Sequence, residues 1–394
     1  MQSYQIFQGL KVLELAGVLA GPAVGQFFAE LGADVVKVES RQGGDVTRSW
    51  KLPSEKPEEP VSAYFSAVNW GKRSICLNLR DQPDVHLLSR LIEEADVVLV
   101  SFRPGDERLR GLDPESLLHR FPKLLIGEIR GYPEPDQRVG YDALLQAESG
   151  FMYLNREPEQ LPVKMPVALI DLLAAHQLKE GLLVAMLNKM KTGRGAIVSV
   201  SLLEAALASL ANQATNYLVA GADPEPLGSS HPNIAPYGTL FLTKDERYVV
   251  PAIGNDRQFR DFLEVLGLEE CITQPEFQRN ADRVTHRERL NATLAKAIAT
   301  FSSDELLAAC VQKSVPLGVV KRVGEALRSS LAKDVFHQSL FGIGLRQTVF
   351  KINGSKGHHL PPPPTLDAEA TAVLTGWLGM RPDEAEEWRS GRIS

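Results

Sequence analysis

Asp171 is a carboxylate placed where it could do covalent chemistry. It heads the run PVALIDLLAAHQLKEGLLVAMLNKMKTGRG (166–195), in which apolar residues recur at 172, 175, 178, 182, 185/186 and 190. That spacing predicts a helix, and further Leu, Ala and Val residues widen the apolar stripe until it nearly encircles it, which predicts burial in a large core. Thr192-Gly193-Arg194-Gly195 ends the helix with glycine available for a left-handed cap. Two readings of Asp171 fit this setting. An aspartate at a helix start can be an N-cap, accepting backbone N–H bonds. It can also be a nucleophile or general base held at the positive end of the helix dipole.

Other chemistries lack their residues. The first loop, AGVLAGP (16–22), has Gly17 and Gly21 but no GxGxxG, so a nicotinamide site is not expected even though Glu39 stands where a ribose-binding acid would. WGKRS (70–74) has no glycine at the spacing a phosphate loop needs. The eight histidines form no HExxH or Cys/His cluster, and no metal site is expected. Three widely spaced cysteines, Cys76, Cys271 and Cys310, argue for a reducing compartment rather than a disulfide framework. A formal charge of −6 gives no pull toward nucleic acid or an anionic membrane. The apolar stretch from Leu10 to Val38 carries six interrupting polar or charged residues, and no membrane span is expected. The chain reads as cytoplasmic, or as belonging to an organelle lumen of similar redox state.

The elements that would position Asp171 follow from the alternation of patterns. Residues 11–15, 34–39, 73–79, 95–101, 124–129 and 196–201 read as buried strands, with helical patterns between several of them. The opening LKVLELAGVLAGPAVGQFFAELGADVVKVES is a βαβ unit and implies a parallel sheet. The fold expected is α/β: a doubly wound, Rossmann-like large domain plus a smaller α+β domain. Residues 1–200 form the first part of the large domain and 201–224 a linking helix and loop, the helix running over 201–221. Residues 225–315 form the small domain, with a hairpin turning at Lys244-Asp245-Glu246, and 316–394 return to complete the large one.

Several segments together resemble the family III coenzyme A transferases, a superfamily that includes formyl-CoA transferase, the carnitine CoA-transferases and the 2-methylacyl-CoA racemases. They are LAGPAVGQFFAELGADVVKVES…GGDVTRSW, NWGKRSICLNL, ADVVLVSFRPG, GYDALLQAESGFM, the Asp171 segment with its KTGRG turn, HPNIAPYG and GNDRQF. They run in family order from about residue 9 to 260, and PPPPTL resembles the family's end. The resemblance implies that Asp171 is the catalytic nucleophile. It would attack an acyl-CoA thioester to give a mixed anhydride, take up CoA as an aspartyl thioester, and pass it to an acceptor acid. No prosthetic group is implied, with coenzyme A and acyl-CoA serving as substrates.

The same resemblance implies positions for the substrates. Val18 and Leu19 would line the pantetheine and thioester region, Phe102 would stack on adenine, and Arg41, Arg48, Lys72, Arg73, Arg103, Arg108 and Arg138 are the cations that would hold CoA. Tyr141, with Asp142 after it, would position the acyl group or pack against CoA, and Asp142 can also serve as a loop cap. The racemases carry histidine where Tyr141 stands, because moving an α-proton needs a base; a phenol with an ordinary pKa of ~10 is a poor one, so transferase is favoured over racemase. A catalytically silent CoA-binding protein would not be expected to keep Asp171. The chain departs from formyl-CoA transferase in having Leu19 in place of glutamine and GSSHPNIAPYG in place of a glycine-rich loop, and from many relatives in having Gly17 in place of arginine. These departures disfavour oxalate and favour a bulkier or less polar acyl group. The family's interlocked homodimer is implied as well.

Overall fold

A computed structural model describes residues 4–103, 106, 111–340 and 342–390; the candidate Arg108 lies outside the described residues. The chain forms two compact units. One contains the segments up to Ser149, Met165–Ala214 and from Lys333 onward; the other contains Gly150–Lys164 and Thr215–Ala332.

The larger unit is built on six parallel strands, β1 (Lys11–Leu15), β2 (Asp34–Glu39), β3 (Lys72–Cys76), β4 (Val97–Val100), β5 (Leu125–Arg130) and β6 (Ala196–Ser201). Their order is β3-β2-β1-β4-β5-β6, the doubly wound arrangement expected from the alternating sequence. Register pairs Val12 with Val35 on one side of β1 and with Val97 on the other, so β-branched residues fill the middle of the sheet. Leu13, Val36, Ile75, Val98 and Ile126 share one buried face with Leu87, Leu88 and Leu91 of the helix Gln82–Glu94. Ala370, Val373, Leu374 and Trp377, from the helix Ala370–Leu378, join the same core.

The first helix, Ala20–Glu30, is buried along its whole length. It crosses the sheet so closely that a Cβ on Gly25 would sit 1.9 Å from Glu14 Oε2. Beneath it lies a buried ionic network. Lys37 donates to Glu14 (2.9 Å) and to the Ala16 carbonyl (2.7 Å) and pairs with Asp45 (3.0 Å). Lys72 pairs with Glu14 (2.8 Å) and donates to Asn69 and the Pro22 carbonyl.

The long helix, Leu169–Thr192, ends at Gly193 with φ +71°, the left-handed cap that its sequence predicts. Its expected burial all round is not what the structure shows. Leu178 and Leu182 are buried, but Val184, Leu187 and Met190 are 66, 61 and 83% exposed in the single chain. A second difference follows it. The helix expected over 201–221 is two, Leu202–Ala208 and Asn212–Ala220, with Ala211 between them at φ +50°. A non-glycine residue in the left-handed region cannot continue a right-handed helix.

The smaller unit has a three-stranded antiparallel sheet in the order β7 (Phe241–Leu242), β8 (Tyr248–Pro251), β9 (Leu317–Val319). The hairpin β7–β8 turns where Lys244-Asp245-Glu246 places it. Phe259, Phe262 and Leu263 pack with Leu290, Leu294 and Leu306 in its core. Leu317–Val319, read from sequence as the start of the return to the large domain, instead pairs with β8, and the chain rejoins the larger unit at Lys333.

Candidate active site

The strand-to-helix connections of a doubly wound sheet gather at the carboxyl ends of the strands, and a cavity of about 460 Å³ lies there in the larger unit. Val18, Leu19, Phe102, Arg103, Arg138, Tyr141, Asp142 and Asp171 all line it. Residues separated by up to 153 positions in sequence thus converge on one space.

Asp171 occupies the third position of the long helix, whose N-cap is Ala168, with no side-chain cap bond. The N-cap reading of Asp171 is therefore corrected by the structure. Its side chain is nearly buried (8% exposed), and among the described residues no group donates a hydrogen bond to it. Burial, and then the negative charge of Asp142, push its pKa up from an ordinary 3.8 to about 7.

The cap comes from another helix. Asp142 opens the helix Asp142–Glu148, and its Oδ1 accepts from the Ile170 N–H at 2.8 Å, satisfying a free amide in the first turn of the long helix. Its Oδ2 accepts from Gln146 Nε2 at 2.7 Å. Buried Gln146 in turn accepts from the Met165 N–H at 2.8 Å and holds the approach to the long helix. Tyr141, half exposed at the rim, precedes this clamp.

A second helix start faces the same cavity. Leu19 is the N-cap of the first helix and supplies no side-chain acceptor, so the Ala20 and Gly21 amides, on residues that line the cavity, keep free N–H groups at the positive end of the dipole. Just before it, Val18 has φ +67°, a costly conformation for a β-branched residue. The strain is held by a bond from the Val18 N–H to Asp45 Oδ2 (3.1 Å). Asp45 is itself fixed by the Thr47 N–H (3.0 Å), the Thr47 hydroxyl (2.8 Å) and Lys37.

The proposed CoA cations separate into groups. Arg103 and Arg138 line the cavity; Arg138 pairs with Asp136 (2.9 Å) and Glu148 (3.0 Å) and lies over the Tyr132 ring. Arg41 lines a neighbouring cavity of about 1090 Å³ with Asn78 and Arg80, and Phe102 borders both spaces. Arg41 also meets Asp84 at 3.2 Å.

Three cations are corrected by the structure. Arg48 is buried against Glu39 (2.7 Å) and the Pro364 carbonyl (3.1 Å), with the Phe65 ring 3.8 Å from its guanidinium carbon. Lys72 is buried in the Glu14 network, and burial there, beyond what the carboxylate restores, lowers its pKa to about 8. Arg73 is taken up by Asp34, which also accepts from the Trp377 indole. Arg48 and Lys72 are spent inside the fold and Arg73 in a partly exposed ion pair, and none of the three lines either cavity.

Sequence reasoning missed Asp45, Tyr64 and the pair Glu128–Arg130. Asp45 stands in the quoted GGDVTRSW, where its spacing from the strained loop carried no signal. Tyr64 is raised in pKa by burial and then by Asp171, Asp142 and Asp45, so it lies within electrostatic reach of the site. Arg130 meets Glu128 at 2.8 Å on the cavity wall.

Comparison with known proteins bears on this geometry. The family model described as CoA-transferase family III matches residues 7–369. The succinate–glutarate CoA-transferase of Agrobacterium fabrum is 36% identical over 323 residues, covering 80% of this chain and 80% of that protein. The human succinyl-CoA:glutarate CoA-transferase is 30% identical over 383 residues, covering 95% and 86%. A crystal structure of a CAIB/BAIF family protein from Brucella suis superposes with a TM-score of 0.84 at 36% identity, covering 95% of this chain and all of that one. This chain therefore belongs to CoA-transferase family III and is a CoA-transferase.

Proposed function

We propose that this enzyme moves CoA from an acyl-CoA thioester to a free carboxylic acid through covalent intermediates on Asp171. One observation carries the reading: a nearly buried carboxylate without hydrogen-bond donors among the described residues opens onto a cavity that a second helix N-terminus also lines. Such a carboxylate is poorly solvated and so reactive, and helix amides stabilise the negative charge that develops on an attacked carbonyl oxygen. Asp171 attacks the thioester carbonyl, the C–S bond breaks, and a mixed anhydride and CoA thiolate result. The thiolate attacks the Asp171 carbonyl carbon, releases the donor acid and leaves an aspartyl-CoA thioester. The acceptor carboxylate attacks that thioester, re-forming an anhydride and free thiolate. Attack of the thiolate on the acceptor's acyl carbon gives the new acyl-CoA and restores Asp171. Thioester energy is conserved throughout, so no nucleotide is consumed.

In this reading Arg41 and Arg103, with Phe102 at the border of the two cavities, hold the nucleotide end of CoA, while Val18 and Leu19 guide the pantetheine toward Asp171. Tyr141 contacts the acyl group at the rim. The named substrates of the two relatives make succinate and glutarate the first acids to test. Exchange of CoA between a panel of acyl-CoAs and free acids, followed by mass spectrometry without ATP, tests the activity. Hydroxylamine added with acyl-CoA should trap Asp171 alone as a hydroxamate; trapping elsewhere, or none during turnover, would overturn the assignment.

The exposed apolar face of Val184, Leu187 and Met190 supports a homodimer, interlocked as the family resemblance implies. Among the described residues no helix is long and apolar enough to cross a membrane. We place the enzyme in the cytoplasm, where its buried Cys76, Cys271 and Cys310 would stay reduced.

A further inference from the structure

We propose that Asp142 is a positioning residue of the transfer reaction, which orients the first turn that carries Asp171 and holds a second negative charge beside it. The inference rests on Asp171 being the nucleophile. Its basis is geometric. Asp142 Oδ1 accepts from the amide of Ile170, the residue immediately before Asp171, while Oδ2 is held by Gln146. The helix start therefore cannot turn about its axis without breaking a bond to a carboxylate that is itself fixed. The same carboxylate lines the cavity, so its charge acts on the nearly buried Asp171.

Among the charges around it, Asp142 is the one that acts on Asp171, and Asp45, which shares Tyr64 with both, is paired with Lys37 and bound by the Thr47 N–H. From the first helix, Glu30 is engaged with His337 and Thr348, and its charge is felt by Lys179, two turns further along the long helix. From the sheet, Glu128 is paired with Arg130 and accepts from Ser199. From the helix Leu202–Ala208, Glu204 is bound to Ser201. Glu148, at the far end of Asp142's own helix, is paired with Arg138. Tyr64 contributes a neutral phenol. After burial, Asp142 is the group that raises the pKa of Asp171. A carboxyl so raised is neutral and unable to attack below about pH 7, and above it is a more basic nucleophile than an ordinary aspartate.

The test is the pH profile of kcat/KM for CoA exchange between pH 5 and 9 in wild type, Asp142→Asn and Asp171→Asn. Wild type should lose activity as pH falls through about 7. Asp142→Asn removes the charge and retains only one of the two accepted bonds, so kcat should fall about tenfold or more at pH 8.5 while KM for acyl-CoA changes less than about twofold. Its acid limb should move down by about half a pH unit or more, making the variant-to-wild-type ratio at least about threefold larger at pH 5.5 than at 8.5. An acid limb that coincides with wild type overturns the proposal. If Asp142→Asn does not fold, wild type still decides, because an acid limb in the ordinary carboxylate range near ~4 overturns it equally. Asp171→Asn separates the two ideas. An active Asp171→Asn enzyme removes the nucleophile reading and this proposal with it, whereas an inactive one beside an unmoved Asp142→Asn limb removes only this proposal.

Discussion

Replacing Asp171 with asparagine should abolish CoA exchange and, above neutral pH, make the protein more stable. The second outcome follows from the burial of the carboxyl group. Raising the carboxyl pKa from 3.8 to about 7, at ~1.4 kcal/mol per pH unit, means that the folded state carries a penalty of up to about 4 kcal/mol once Asp171 is ionised. The direction is fixed by linkage. The folded state binds this proton more tightly than the unfolded chain, so the group's contribution is most favourable below the unfolded value of 3.8. It is lost as pH rises from there to about 7 and stays lost above. Asparagine cannot ionise and carries no such penalty, although its buried amide costs ~1–3 kcal/mol at any pH if unpartnered. The amide cost cancels when one variant is compared at two pH values. Relative to wild type, Asp171→Asn should gain about 3 kcal/mol between pH 4.5 and pH 8.5, and at ~2 °C per kcal/mol the relative shift in Tm is about 6 °C. Urea unfolding and thermal melts at both pH values measure it, with exchange activity assayed on the same preparations. A stability difference that does not change with pH, in a variant that still exchanges CoA, would refute both the burial argument and the nucleophile.

Three further outcomes are expected. Arg41→Ala and Arg103→Ala should each weaken CoA binding by ~1–3 kcal/mol, about 5- to 150-fold, by titration calorimetry; two unchanged affinities would mean that the phosphates lie elsewhere. Lys72→Met should cost ~3–5 kcal/mol of stability in urea, because it strips buried Glu14 of one of its two cations, while CoA affinity of the folded variant stays within about twofold of wild type. Met190→Glu with Leu187→Glu should convert a dimer to smaller or aggregated species in light scattering; a wild-type monomer at low micromolar concentration would contradict the dimer outright.

Much of the fold is legible in the chain because its cause is local. Val-Val-Lys-Val between Asp34 and Glu39, or Val97 to Val100, can only be comfortable in the middle of a covered sheet, and the helical pattern between such runs forces the parallel order. The αL cap at Gly193 and the place of Asp171 in a helix's first turn are equally local. The break at Ala211 was not legible, since alanine itself favours continuing a helix and the unusual φ there is imposed by its surroundings.

The candidate site divides along the same line. Sequence by itself determined the family resemblance, the presence of Asp171, Tyr141 and the Val18–Leu19 loop, and a pool of cations near strand ends. Only the tertiary structure decided that Ala168 and not Asp171 is the N-cap, that Asp142 reaches across 28 positions to bond the amide beside it, and that Arg48, Lys72 and Arg73 are consumed by Glu39, Glu14 and Asp34. Backbone conformation is governed largely by a residue and its near neighbours, so it can be read along the chain. The solvation of a charge depends on every group within several ångströms, and for Arg48 one of those groups is the carbonyl of Pro364, 316 residues away.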